Sequence, residues 1–281
     1  MNFERKLEHQ IIDELTKNDL WNEILKIDCQ NQQVFMAIRN NTIGFYHKGG
    51  RIFNFDKNGF KTHIKYASVI DNSEKNYLTE KEVSSYNLIT DFKKNYKRIK
   101  ENCSLYSGIE AQGVSDIYHT YSYFSNERIV VLDAEISFEA LDKTTGKKQD
   151  RIDLLLFDKK SLTLKFVEAK HYSNKEIWSK TTPKVIGQIK KYEKQIENNI
   201  KDIIPAYKKY IETINLIFNL KLPIPNKVEK KVSLLIFGFD QDQKNGRLKK
   251  MILKKLEFKG FQVFCKQDKI KPSSIWNCKI L

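Results

Sequence analysis

A chain of 281 residues that is 40% hydrophobic and 30% charged carries enough apolar side chain for a buried core in one large or two modest domains, which sets it among globular proteins. Its 50 Lys and Arg against 35 Asp and Glu give a net charge of +15 and a pI near 9.4, so an anionic partner such as DNA or RNA is expected, because lysine contacts to phosphates release counterions. No stretch approaches the length of a membrane span, the first residues hold no apolar leader, and Cys29, Cys103, Cys265 and Cys278 show no paired spacing, so neither a membrane protein, a secreted disulfide scaffold nor a structural zinc module is expected, and a reducing cytoplasm is.

Leu7, Ile11 and Leu15, then Leu20 and Ile24, recur near helical spacing and predict an amphipathic helix over residues 3 to about 27, with Asn18-Asp19 able to split it. The period then shortens. The runs VFMAIR, TIGFYH, RIFNF and KTHIKYA are separated by Asn40-Asn41, Gly49-Gly50 and Asn58-Gly59, and they predict a β-meander of three or four strands ending near Ser68. Tyr46, Phe53, Phe55 and Tyr66 suit base stacking, but the core face of a small sheet is the commoner use of such side chains and the favoured reading. Residues 1–75 are expected to form a small α+β domain of helix and meander, separate from 76–281. Thr79 with Glu82 reads as a capping box opening a helix to about residue 100, and a short helix is expected over 115–123.

The strand RIVVLDAEISFEAL sets Asp133, Glu135, Ser137 and Glu139 at alternate positions, a pattern that ordinarily means polar out and apolar in. A turn around Gly146, over 143–149, leads to two further strand-like runs, RIDLLLF and LTLKFVEAK, joined by the polar DKKS. Pairing these antiparallel brings Asp153 beside Glu168 and Lys170, which alternation puts on one face with Ala169 opposite. Two carboxylates offer the hard oxygen ligands that Mg²⁺ or Mn²⁺ takes, and an adjacent ammonium can orient a water for attack on phosphorus. The spacing alone says little, since an acid two residues before a lysine recurs at Glu4, Asp91, Asp158, Glu229, Asp242 and Glu257. Context sets Glu168-Ala169-Lys170 apart, because it closes an apolar strand, follows a strand bearing Asp153 and precedes a helix bearing Gln188.

In that order the segment over roughly 133–240 resembles the PD-(D/E)XK nuclease superfamily, which includes many restriction and phage-defence endonucleases, although Arg151-Ile152 stands where the family's proline would be. The resemblance implies an α/β restriction-endonuclease-like core of order αβββαβ. It also implies metal binding by Asp153 and Glu168 with the backbone carbonyl of Ala169, a water-assisting Lys170, and support from Gln188. Glu135, in mid-strand beside that pocket, is a further candidate for holding metal or orienting water, and Glu110 is the nearest match to a glutamate that many members carry on a helix before the sheet.

Beyond the motif, Ser173 with Glu176 reads as a capping box, and Thr182-Pro183 opens the next helix, with Val185, Ile189, Tyr192 and Ile196 as its buried stripe. Pro205 is expected to begin a helix to about residue 220, 222–231 a loop, and VSLLIFGF a strand covered on both faces. Lys244, Arg247, Lys249, Lys250, Lys254 and Lys255 then lie on a basic helix that suits a phosphate backbone, though a solvated face is the commoner explanation, and FQVFCK is a last strand. The expected function is Mg²⁺-dependent hydrolysis of DNA, with RNA as the other substrate class, by an endonuclease of restriction or phage-defence type. A catalytically inert nucleic-acid-binding module and an effector gated by a signal or a defence-system partner protein are the alternatives. Paired cuts would favour a homodimer, although no heptad pattern is visible.

Overall fold

The computed structural model describes residues 3–68, 88–138, 150–267 and 269–278. The chain is mixed α/β and divides into two compact units, Leu7–Gly108 and Met1–Lys6 with Ile109–Leu281. The boundary expected at residue 75, the Thr79 and Glu82 cap, the 143–149 turn and Glu139 lie outside the described residues. No helix among the described residues is long and apolar enough to cross a membrane.

The first unit opens with α1 (His9–Thr16), a π-helical turn at Trp21–Leu25 and α2 (Lys26–Gln30). The expected single helix breaks at Asn18, whose side chain accepts the Leu20 N–H at 3.0 Å and so restarts the chain as a helix. A four-stranded antiparallel meander follows, with β1 (Phe35–Arg39), β2 (Thr42–His47), β3 (Gly50–Asp56) and β4 (Gly59–Lys61). Phe53 and Phe55 are buried on one face and pack on Phe60, as the sequence favours, whereas Tyr46 is buried on the opposite face with Gly44 and Arg51, and Tyr66 is half-buried outside the sheet. The run KTHIKYA does not continue as a strand. The His63 ring accepts the Lys65 N–H at 3.1 Å and caps α3 (Ile64–Ala67). Helix α4 (Tyr96–Leu105) groups with this unit.

The second unit holds α5 (Ile109–Thr120), β5 (Ile129–Ile136), β6 (Ile152–Asp158), β7 (Thr163–His171), α6 (Lys184–Asn198), α7 (Ile200–Phe218), β8 (Lys227–Val228), β9 (Ser233–Phe237) and β10 (Val263–Lys266). Strands β5, β6 and β7 pair antiparallel, whereas β9 joins β7, and β10 joins β9, in parallel. The sheet order is β10-β9-β7-β6-β5, with β8 also on β7. Parallel pairing of β7 with β9 needs a crossover, which α6 and α7 supply. All five residues of β9 are buried, the pattern expected of VSLLIFGF.

Three local expectations fail for physical reasons. Helix α5 starts six residues earlier than the expected 115, which carries Glu110 onto a helix. Helix α7 starts before Pro205, which therefore lies inside it rather than at its first turn. Strand β5 is bulged between Val131 and Asp133, and Glu135 takes a positive φ of 54°, so regular polar-out alternation does not hold. Asp133 is fully buried, accepting from Arg5 Nε at 3.3 Å and from the Tyr207 hydroxyl at 2.8 Å.

Candidate active site

The ladder between β6 and β7 ends at Leu154 opposite Val167, one residue short of Asp153 and Glu168. There the Asp153 carboxylate replaces a backbone partner, its Oδ2 accepting the Ala169 N–H at 2.6 Å. In an extended strand a residue's N–H and C=O point to the same edge, so the Ala169 carbonyl also faces this gap. Glu168 and Lys170 are buried, at 1% and 6% exposure. Lys170 Nζ lies 2.9 Å from Glu168 Oε1 and 3.1 Å from Glu176 Oε2. Asp153, Glu168 and Lys170 thus meet where the hairpin strands part.

The electrostatics follow from that crowding. Burial, then the nearby Glu168 and Glu135 charges, pushes the Asp153 carboxyl well above the usual carboxylate range, against the pull of Lys170. Burial likewise raises Glu168 to about 7, with Lys170 and a proton shared with the Asp153 carboxyl opposing and Glu110 adding to the rise. Lys170 is held above its ordinary value because Glu168 and Asp153 outweigh the burial that would lower it. Glu168 Oε2 and Gln188 Oε1 are buried acceptors without a hydrogen-bond partner. The unpartnered Glu168 oxygen belongs to one of two carboxyls that raise each other's cost of ionising, a site short of positive charge whose oxygen chemistry fits a hard divalent cation. Among the described residues, no group of three His, Cys, Asp or Glu side chains is already gathered as a ligand cage.

Of the other expected residues, Glu135 and Glu110 lie close enough for their charges to act on this centre. Glu135 pairs with Arg151 at 3.2 Å while contributing to the charge felt by Asp153. Gln188 lies on α6, one turn before Tyr192, whose hydroxyl donates to the Arg151 carbonyl at 3.0 Å. Glu110 Oε2 accepts from the His171 N–H at 2.7 Å and from Asn174 Nδ2 at 2.8 Å, which ties α5 to the end of β7. Gly238 makes that junction possible, since its φ is +74° and a Cβ there would stand 2.1 Å from His171 Nε2.

Glu176 is a residue that sequence reasoning explained away. The cap of the Lys175–Ile177 turn is Asn174, whose side chain accepts the Glu176 N–H at 2.9 Å, while Ser173 turns instead to the His171 ring at 2.8 Å. This frees the Glu176 carboxylate for Lys170. An acid six residues beyond the motif lysine was the available signal, but a capping template absorbed it. Similarly, Pro183 rather than Thr182 occupies the N-cap of α6, without a side-chain hydrogen bond. No protein-family model, curated protein or solved structure matches this chain.

Proposed function

We propose that the second unit is a Mg²⁺- or Mn²⁺-dependent nuclease of PD-(D/E)XK type that hydrolyses phosphodiester bonds in DNA. The observation that carries this reading is the meeting of Asp153, Glu168 and Lys170, with one buried Glu168 oxygen left unpartnered. The run α5, β5, β6, β7, α6, β9 supports an αβββαβ core. Asp153, Glu168 and the Ala169 carbonyl would hold the cation, with Glu135 close enough to adjust the local charge. That suits Mg²⁺, which usually binds through one or two carboxylates and keeps several waters. When bound, the cation supplies Lewis-acid polarisation of the scissile phosphate and a more acidic water. Lys170 positions that water and balances the negative charge that develops on the phosphate. Glu168 and Glu176 hold the ammonium in place from two sides, and Gln188 on α6 keeps the supporting role that the family resemblance implies.

Purified protein with Mg²⁺ is expected to nick or cut plasmid DNA, and Lys170→Ala to lower the rate by at least about 100-fold with an unchanged fold. Cutting by Lys170→Ala at the wild-type rate would end this reading. The rival reading is an inert nucleic-acid-binding scaffold, which a net charge of +15 would serve equally well. Mn²⁺ titration separates them. On the nuclease reading Mn²⁺ raises the melting temperature of wild type but not of Asp153→Asn, and on the rival reading it raises neither.

A further inference from the structure

Past Lys170, the loop that carries Glu176 is fastened to the basic C-terminal helical segment. Trp178 lies two residues beyond Glu176, hence within about 7 Å of it along the chain, and Glu176 itself touches Lys170 at 3.1 Å. The Trp178 indole donates to the Tyr172 carbonyl at 2.8 Å and meets the Tyr172 ring edge-on at 4.9 Å. The Arg247 guanidinium stacks over Trp178, 4.1 Å from the ring centroid. Lys255 Nζ donates to the Ser179 carbonyl at 2.6 Å and also to that of Thr181. The C-terminal segment is therefore fixed to the loop that borders the catalytic lysine.

Its surface is unusual in charge. Residues 241–255 hold six cations and one acid, Asp242, a net of +5. Leu248 and Ile252 are fully buried, while Lys244, Arg247, Lys249, Lys250 and Lys254 are exposed. No carboxylate among the described residues pairs with these five, although exposed Lys208 and Lys230 have acidic neighbours. Exposed Lys184, Lys190 and Lys194 on α6 are likewise unpaired, so what sets the segment apart is six cations within fifteen residues fastened to the loop that carries Glu176. Unpaired cations on a rigid support retain their attraction for an external polyanion, whereas a locally neutralised lysine does not. Arg247 covers one face of the half-buried Trp178 ring, and Tyr172 meets that ring edge-on.

We infer that Arg247 and Lys250, with their basic neighbours, form a backbone-binding lip that holds duplex DNA beside Lys170 through phosphate contacts, independently of base sequence. This rests on reading the site as a DNA nuclease. Arg247 serves as a positioning residue, its stacked guanidinium held flat so that its outer N–H groups can take a phosphate oxygen.

The test is anisotropy of the full-length protein with a short fluorescent duplex, in EDTA to prevent cutting, from about 50 to about 200 mM salt. Arg247→Ala with Lys250→Ala is expected to lower the slope of log K against log salt by about 2, close to 0.9 for each phosphate that is no longer neutralised. The control pair Lys208→Ala with Lys230→Ala leaves the slope unchanged. An unchanged slope in the first pair, an equal drop in the control pair, or preference of the wild type for RNA over duplex DNA would each overturn the inference. Failure to cut with Mg²⁺ while the slope falls as expected would sink the proposed reaction and leave this surface standing; cutting with an unchanged slope would sink the surface alone.

Discussion

Glu168 and Asp153 sit where folding favours the protonated acid, which ties stability of the metal-free protein to pH. The Glu168 carboxyl rises from 4.5 to about 7, so between these values the folded chain binds more protons than the unfolded one, and stability falls as pH rises. The contribution is fully present below about 4.5, lost through about 7, and at most about 3 kcal/mol. Asp153 is raised in the same direction, while raised Lys170 loses its contribution only at strongly alkaline pH. Melting temperature without divalent ion is therefore expected to drop from pH 5 to pH 8 in wild type and to drop less in Glu168→Gln. A second residue-scale prediction concerns Asp133, fully buried and bonded to Arg5 and Tyr207. Asp133→Ala leaves Arg5 buried without its partner and should cost about 3 to 5 kcal/mol by denaturant titration. The sequence placed Asp133 among outward polar positions, because alternation cannot register a bulge or a charge waiting on residue 5.

At the scale of elements, the contact of α5 with β9 decides where Glu110 stands. A Cβ at Gly113 would lie 2.2 Å from Phe237 Cε2, on a buried ring at the end of β9. Gly113→Ala would gain about 1 kcal/mol of helix propensity, but overpacking a buried ring costs about 1 to 3 kcal/mol or more, so the variant is expected to be destabilised. Pushing α5 outward also stretches the bonds from Glu110 to His171 and Asn174, so faster hydrogen exchange at the His171 amide is the accompanying signature. An unchanged denaturation midpoint would show that α5 shifts freely. The DKKS turn and the β6–β7 hairpin were legible in sequence because turn and alternation are local signals; the early start of α5 was not, since Gly113, now inside the helix, is a poor helix former and tells against a start before it.

At the scale of the whole molecule, Phe3 to Lys6 belong with the second unit although the first unit follows them in sequence. Arg5 reaches Asp133, and Phe3 stacks on Phe138 with centroids 4.7 Å apart. A fragment of residues 109–281 is thus expected to unfold about 3 kcal/mol more easily than its counterpart in the intact chain, and Asp133→Asn should recover part of that loss, because a neutral amide is cheaper to bury alone than a carboxylate. Equal denaturation midpoints for fragment and intact chain would show that the first six residues contribute nothing there. The sequence by itself determined what short-range periodicity encodes: the meander with its aromatic core, the acid-bearing hairpin, the doubly covered β9 and a net charge of +15. Only the tertiary structure decided which acids face one another, that Glu176 completes the Lys170 environment, that Asp133 goes inward, and that Arg247 and Lys255 fasten to the loop following Glu176. Those contacts join residues up to 128 positions apart, as between Arg5 and Asp133, and they depend on loop closure, a bulge and a parallel crossover, none of which leaves a local mark in the residues it brings together.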